Sequence, residues 1–275
     1  MDDWRDDVGG CKSGGKYAEL KKGGDMIPKI IHACWLGGGY LMPQEQQDYI
    51  EGWKKLHPDW EIILWDDEKF ASYLDDSKFV SECIKRKKYG FLSDYFRFTV
   101  LYEFGGVYID TDVEIFKPLD GFLDCKMFMG FIFDASIGTA LIGSEPKNPL
   151  MMDWRKKLET DFEEKGDFTV SNDWITKWFL DHYPDFRLNG KRQSLQCGIE
   201  LYPKDWFERY QTNKKSGGGY AEHHCAGSWK DKNVAGCKKY LRKLLPRKWA
   251  SVIGHKRILK RAPYYEIYLR HKKHK

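Results

Sequence analysis

Short, nearly continuous apolar runs alternate with longer amphipathic ones along the first half of this chain. Lys29-Ile30-Ile31-His32-Ala33-Cys34-Trp35 reads as a buried strand ending at Gly37-Gly38-Gly39. Residues 60–65 read as a second strand, ending at Asp66-Asp67. A helix from about residue 43 to 57 is predicted between them, and helical segments fill residues 67–104. Residues 91–104 are apolar on almost every face, which predicts a buried helix, capped by Ser93 and stopped by Gly105. Gly106-Val107-Tyr108-Ile109 follows as another short buried strand. Further on, strands are expected around 127–133, 139–143 and 199–203, and helices over 148–165 and 174–183. Residues 214–220 read as a flexible loop. The strand–helix–strand alternation predicts an α/β fold with a Rossmann-like, mostly parallel central sheet.

The chemistry concentrates at Asp110-Thr111-Asp112, directly after the third strand. In a continuing strand, residues i and i+2 point to one side, so both carboxylates are expected to face one cleft at the sheet's C-terminal edge. Two adjacent carboxylates repel, and a hard cation such as Mg²⁺ or Mn²⁺ relieves that repulsion while keeping positions free for substrate phosphates. On its own an Asp-x-Asp is as readily a solvated acidic turn. The preceding helix sharpens the reading: Asp94 and Arg97 lie three apart on one of its faces, and charge on so apolar a helix is expected to meet its partner and a polar cleft. His32 reads as a satisfied core histidine.

Composition narrows the class further. The chain has 275 residues, enough for one sizeable α/β domain with additions. It has no run of about 20 apolar residues, so no transmembrane helix is expected. Its acidic, glycine-rich start lacks the apolar core of a signal peptide. Seven cysteines are scattered without a Cys-x-x-Cys pair, which argues for reduced thiols, a cytoplasmic setting and no zinc knuckle. The net charge of +5 is uneven. From Lys238 onward, 14 Lys and Arg face the single acid Glu266, a balance of +13. The rest of the chain carries 32 basic and 40 acidic residues, or −8. Leucines interleave with the tail's charges, and Trp249, Tyr264, Tyr265 and Tyr268 suit a headgroup interface. The tail therefore reads either as a solvated helical face or as a contact with an anionic membrane, on the inner face of the plasma membrane. No nucleic-acid-binding motif accompanies it. Three parts are expected: residues 1–25 as a loosely ordered extension, 26–237 as the catalytic domain, and 238–275 as a basic amphipathic helical tail.

Ser93-Asp94-x-x-Arg97, spaced before Gly105-Gly106-x-Tyr108-x-Asp110-x-Asp112, occurs together with Trp35 on the first strand and with a late segment from His224 to Trp229. This combination resembles the Asp-x-Asp sugar-binding-region glycosyltransferases, which include bacterial capsular polysaccharide transferases and fungal initiating α-1,6-mannosyltransferases. More distantly it is similar to the large clostridial glucosylating toxins. The resemblance implies a GT-A fold, a nucleotide-sugar donor, Mn²⁺ or Mg²⁺, and transfer of a hexose with retention of anomeric configuration. By position, it implies that Asp112 binds the metal and that Asp110 touches ribose or metal. Asp94 and Arg97 would hold the donor sugar, with Arg97 also near the phosphate. Tyr108 would lie near the nucleotide, Trp35 would stack on the base, and Ser228 and Trp229 would contact the diphosphate. His224 occupies the place of a third metal ligand, with His223 structural. Trp35 stacking accepts uracil or guanine, and the likeness to the toxins favours a UDP-sugar. No carboxylate is placed for a double displacement, which leaves front-side attack within an ion pair.

The resulting expectation is a metal-dependent retaining glycosyltransferase acting on a glycan or lipid-linked oligosaccharide in capsular or cell-surface polysaccharide synthesis. Three alternatives stand beside it. One is a catalytically weak sugar-nucleotide-binding protein docked to a membrane or partner. Another is a toxin-like transferase acting on protein. The third, a metal-dependent phosphohydrolase, lacks the further carboxylates and histidines of a two-metal site.

Overall fold

The computed structural model describes residues 26–37, 41–71, 73, 77–208, 219–225 and 259–273. The expected extension over residues 1–25 and most of the basic tail therefore lie outside the described residues, as do Ser228 and Trp229.

The chain alternates as the apolar pattern predicts. Strand β1 (Ile30–Cys34) leads to α1 (Gln44–Leu56) and β2 (Glu61–Trp65). Three helices follow, α2 (Asp67–Ala71), α3 (Lys78–Lys85) and α4 (Tyr89–Phe104), before β3 (Gly106–Ile109). Then come β4 (Val113–Ile115), the long hairpin β5 (Met127–Phe133) and β6 (Ser136–Ser144), and the helices α5 (Pro149–Lys165) and α6 (Ser171–His182). The last elements are β7 (Gln193–Ser194), β8 (Ile199–Tyr202), α7 (Lys204–Phe207), β9 (Ala221–His223) and α8 (Tyr265–Lys273).

Seven strands form one sheet in the order β2-β1-β3-β6-β5-β8-β7. β2, β1, β3, β5 and β8 share one direction, and β6 and β7 run against them. This mixed α/β sheet, mostly of one polarity and covered by helices, is the architecture the sequence predicts. One apolar layer joins the sheet to α3–α6 through Tyr95, Phe98, Trp154 and Phe179; the other joins it to α1 through Trp53, Ile50 and Val107. β2 and β3 flank β1 on opposite sides, so the chain reverses its progression there, and open α/β sheets bind ligands beyond the C-terminal strand ends at such a point.

Two glycines carry the chain from α4 into β3. Gly105 has φ +65°, and a side chain there would meet the backbone of Pro146 at 2.7 Å. Gly106 has φ +92°, and a side chain there would lie 2.6 Å from the Ile30 carbonyl oxygen. Both turns need the left-handed freedom and bare backbone of glycine. His32 is a satisfied core histidine: its Nε2 donates to the Gly105 carbonyl at 3.0 Å, and its Nδ1 accepts from the Trp65 indole at 3.2 Å.

Three expectations require correction. Ser93 does not cap α4. The helix begins a turn earlier, after Lys88, and the Ser93 hydroxyl donates inside it to the Gly90 carbonyl at 2.7 Å. Asp110 to Asp112 is not a continuing strand. β3 stops at Ile109, the Val113 amide closes a turn onto the Asp110 carbonyl at 3.0 Å, and β4 leaves the main sheet to pair antiparallel with β9. The end of the basic tail is not a free amphipathic face either. Tyr268 of α8 is 2% exposed within the main core, and the Leu188 amide donates to His271 Nδ1 at 2.9 Å, so this helix is docked on the main body of the fold.

No helix among the described residues is long and apolar enough to cross a membrane. Cys34, Cys83, Cys125, Cys197 and Cys225 are free thiols.

Candidate active site

The site beyond β1 and β3 is built from the bottom upward by a buried charge network. α4 carries Asp94 and Arg97 one turn apart, and Arg97 Nη2 lies 2.9 Å from Asp94 Oδ1 and 3.1 Å from Asp110 Oδ1. Its other terminal nitrogen donates to the Thr139 carbonyl of β6, and the guanidinium lies over the Tyr108 ring, 4.7 Å from its centroid. Burial opposes the charge of Arg97, but Asp110 and Asp94 outweigh it and hold the guanidinium firmly protonated. Burial also raises Asp94, against the pull of Arg97 and of Ser171, whose hydroxyl donates to Asp94 Oδ2. Ser171 opens α6, and its neighbour Asn172 accepts from the Thr139 hydroxyl at 2.9 Å. Three separate elements thus fix the orientation of Arg97.

Asp110 sits at the top of this stack. Burial raises it to about 6, with Asp112 adding to the effect and Arg97 opposing it. The Tyr108 hydroxyl also donates to Asp110 Oδ1 at 3.1 Å and lies 3.3 Å from Cys34 Sγ. Tyr108 is 1% exposed and supports Asp110 from beneath.

The turn at Thr111 does what a strand would have done by alternation: it brings Asp112 round to the side of Asp110. Pairing of Val113 with His223 then sets the β9 histidine beside them. His223 Nε2 lies 3.4 Å from Asp112 Oδ1, and ligand atoms of Asp110, Asp112 and His223 all fall within 4.8 Å of one another. His223 Nδ1 is 2.8 Å from Glu208 Oε2. Burial disfavours the imidazolium, but Glu208 and Asp112 prevail and raise its pKa well above the ordinary histidine value. The order of the His-His pair is therefore the reverse of the one expected. His224 belongs to the next position of the chain and faces away, stacking on Tyr49 with centroids 5.0 Å apart and its Nε2 3.0 Å from Glu114 Oε2. Period-two alternation explains the exchange, since neighbours on an extended segment point to opposite sides.

Two carboxylates and one imidazole form a donor set suited to Mn²⁺ or Mg²⁺, with hard oxygen ligands and coordination positions left over. Half-buried Trp35 directly follows β1. Its amide donates to the Trp65 carbonyl at 2.8 Å, and the turn beyond it is tied by the Gly37 amide to Asp67 Oδ1 at 3.1 Å. Sequence reasoning missed Thr139, Ser171, Asn172 and Glu208. They lie on β6, α6 and the end of α7, far along the chain, and no local pattern marks them.

Comparison with known proteins bears on the class to which this arrangement is similar. Residues 43–129 match the family described as glycosyltransferase sugar-binding region containing DXD motif, so over that stretch the chain resembles the glycosyltransferases of the DXD family. It is similar to an uncharacterized glycosyltransferase of Acanthamoeba polyphaga mimivirus, 28% identical over 74% of this chain and 84% of that one. It is also similar to inositol phosphoceramide mannosyltransferase 1 of Schizosaccharomyces pombe, 31% identical over 38% of this chain, and to a mannosyl phosphorylinositol ceramide synthase of Saccharomyces cerevisiae, 29% identical over 49%. The chain spans only 34% and 35% of the length of these two fungal relatives. Among solved structures, PaToxG glycosyltransferase aligns with a TM-score of 0.47 and 19% identity, covering 56% of this chain and 70% of that one. The galactosyltransferase LgtC, in complex with donor and acceptor sugar analogues, aligns with a TM-score of 0.37 and 12% identity, covering 81% and 99%.

Proposed function

We propose that this protein is a metal-dependent, retaining hexosyltransferase that uses a nucleotide-sugar donor, with a UDP-sugar favoured. The observation that carries the proposal is the convergence of Asp110, Asp112 and His223 within 4.8 Å, immediately above the Asp94–Arg97–Asp110 network. Asp110, Asp112 and His223 would hold the cation, which when bound supplies charge neutralisation for a diphosphate leaving group. Arg97 contributes fixed positive charge from below and keeps Asp110 oriented. Asp94 lies on the same network, where a donor sugar's hydroxyls would meet a carboxylate already anchored by Ser171. Trp35 offers an aromatic face for a base. Such preset donors act on charge as it develops and need no reorganisation during the reaction. With no carboxylate assigned as nucleophile, front-side attack within an ion pair is the mechanism retained. Ser228 and Trp229 keep their expected role at the diphosphate.

For the acceptor, we favour a glycan or lipid-linked oligosaccharide of the cell surface, including a capsular polysaccharide, at an anionic membrane surface reached through the basic residues that begin at Lys238. A second reading, mannosyl transfer to a phosphoinositol-bearing ceramide, is favoured by the names of the fungal relatives. Both readings are tested by screening UDP- and GDP-sugars for Mn²⁺-dependent hydrolysis, then offering the active donor to glycan and inositol-lipid acceptors. Turnover with a UDP-hexose and a glycan acceptor is the expected result. Turnover with GDP-mannose and the inositol lipid would establish the second reading. No hydrolysis of any donor would overturn both.

A further inference from the structure

Glu208 follows α7 at the start of the segment leading toward β9, and it is 4% exposed. Its contacts converge on one residue. The Glu208 carbonyl accepts from the His223 amide at 3.2 Å, and its carboxylate Oε2 lies 2.8 Å from His223 Nδ1. The other carboxylate oxygen presses against β6, where a side chain at Gly138 would come within 2.5 Å of Oε1. A bare backbone position on β6 thus makes room for this buried, His223-paired carboxylate. With Nδ1–H donated to Glu208, the ring is held with Nε2 toward Asp112, 3.4 Å from its carboxylate.

We propose that Glu208 is a positioning residue for the cation site: it keeps the Nδ1 proton and the orientation of His223 fixed, so that Nε2 gives up its proton when the ion binds at Asp110 and Asp112 and presents its lone pair to that ion. This inference rests on the metal-dependent reading above and deepens it. An imidazole that ligates through one nitrogen needs its other N–H satisfied, and a carboxylate there both selects the tautomer and makes the ring a stronger donor. Glu208 meets that need at hydrogen-bond distance and from a position with no outlet to solvent. Gly138 is then the site's most distant dependency, since filling it would push the carboxylate off the ring.

The test is the Mn²⁺ dissociation constant measured by water-proton relaxation on the full chain without donor, so that no turnover is involved. Unfolding temperatures in chelator serve as the check on folding. Glu208→Ala is expected to weaken binding about 10- to 100-fold. Glu208→Gln, which keeps an acceptor but loses the charge, should fall between that variant and the wild type. Gly138→Ala should also weaken binding although Glu208 is intact. A merely structural Glu208 would lower the unfolding temperature and leave the dissociation constant of the folded fraction unchanged. Equal Mn²⁺ affinity in all four proteins would overturn the proposal. If Glu208→Ala does not fold, Glu208→Gln and Gly138→Ala decide by the same criterion. Absence of Mn²⁺ binding by the wild type would instead bring down the metal-dependent reading itself, and this inference with it.

Discussion

The Arg97 guanidinium reaches Asp110 at 3.1 Å from a side chain that is only 4% exposed, tying the buried helix α4 to the carboxylate that opens the Asp-x-Asp turn. Arg97 holds Asp94 and the Thr139 carbonyl at the same time. A planar guanidinium can serve several acceptors in fixed directions, whereas an ammonium acts as a single point charge. Arg97→Lys is therefore expected to lower kcat/KM at least about 100-fold, near 3 kcal/mol, although the charge is kept. Steady-state kinetics on the folded variant check this. Near-normal turnover would show that the network serves the fold alone.

Trp35→Ala tests the aromatic residue that follows β1. A stacked base is bound equally in the ground and transition states, so its loss should raise the donor KM and leave kcat almost unchanged. Stacking of a base on an aromatic ring is worth roughly 1–3 kcal/mol, so a rise in KM of about tenfold or more is expected. A large fall in kcat with an unchanged donor KM would contradict the assignment.

His32 sets an acid limit on the fold. Burial lowers its pKa to about 4, against the favourable Gly105 carbonyl, and Nδ1 already accepts the Trp65 N–H, leaving no place for a second proton. The folded value lies below the unfolded value of about 6.5. Between the two the unfolded chain binds more protons. This contribution is therefore fully present above about pH 6.5, declines as pH falls toward 4 and is flat below that. From pH 7 to 5 the wild type should lose about 2 kcal/mol more stability than His32→Gln. Denaturant titrations at both pH values measure the difference, and parallel losses would contradict it.

Docking of α8 gives a further expectation. Tyr268 is buried in the main core, so Tyr268→Ala should cost about 3 kcal/mol of stability, by analogy with other large aromatic truncations. Urea unfolding of the variant checks this. An unchanged midpoint would mean that the helix does not pack on the body in solution.

Much of this architecture is legible in the sequence, because the signals involved are local. Uniform apolarity over 91–104 marks a buried helix, and the glycines at 105 and 106 mark the drop into β3. Asp94 and Arg97 meet because three residues make nearly one helical turn. What the sequence could not disclose depends on contacts across the chain. Alternation within a strand was the wrong ground for bringing Asp110 and Asp112 together, since a turn does it, stabilised by β4 leaving to pair with β9. The choice between His223 and His224 depended on the parity of that pairing, and a shift of one residue exchanges the two rings. Glu208, Thr139 and Ser171 carry no local signature, because each earns its place only through a partner brought in by the sheet. The tail's tyrosines look like an interfacial cluster until Tyr268 is seen to fill the core.

The central claim is that Asp110 and Asp112 hold a divalent cation on which sugar transfer depends. It is tested most directly by measuring nucleotide-sugar turnover in wild type and Asp112→Asn, each with Mn²⁺ and with excess chelator. The account predicts that chelator abolishes wild-type turnover, that Mn²⁺ restores it, and that Asp112→Asn remains at least about 100-fold slower at saturating Mn²⁺, near 3 kcal/mol of barrier. Full turnover in chelator, or an Asp112→Asn variant as fast as wild type, would contradict it.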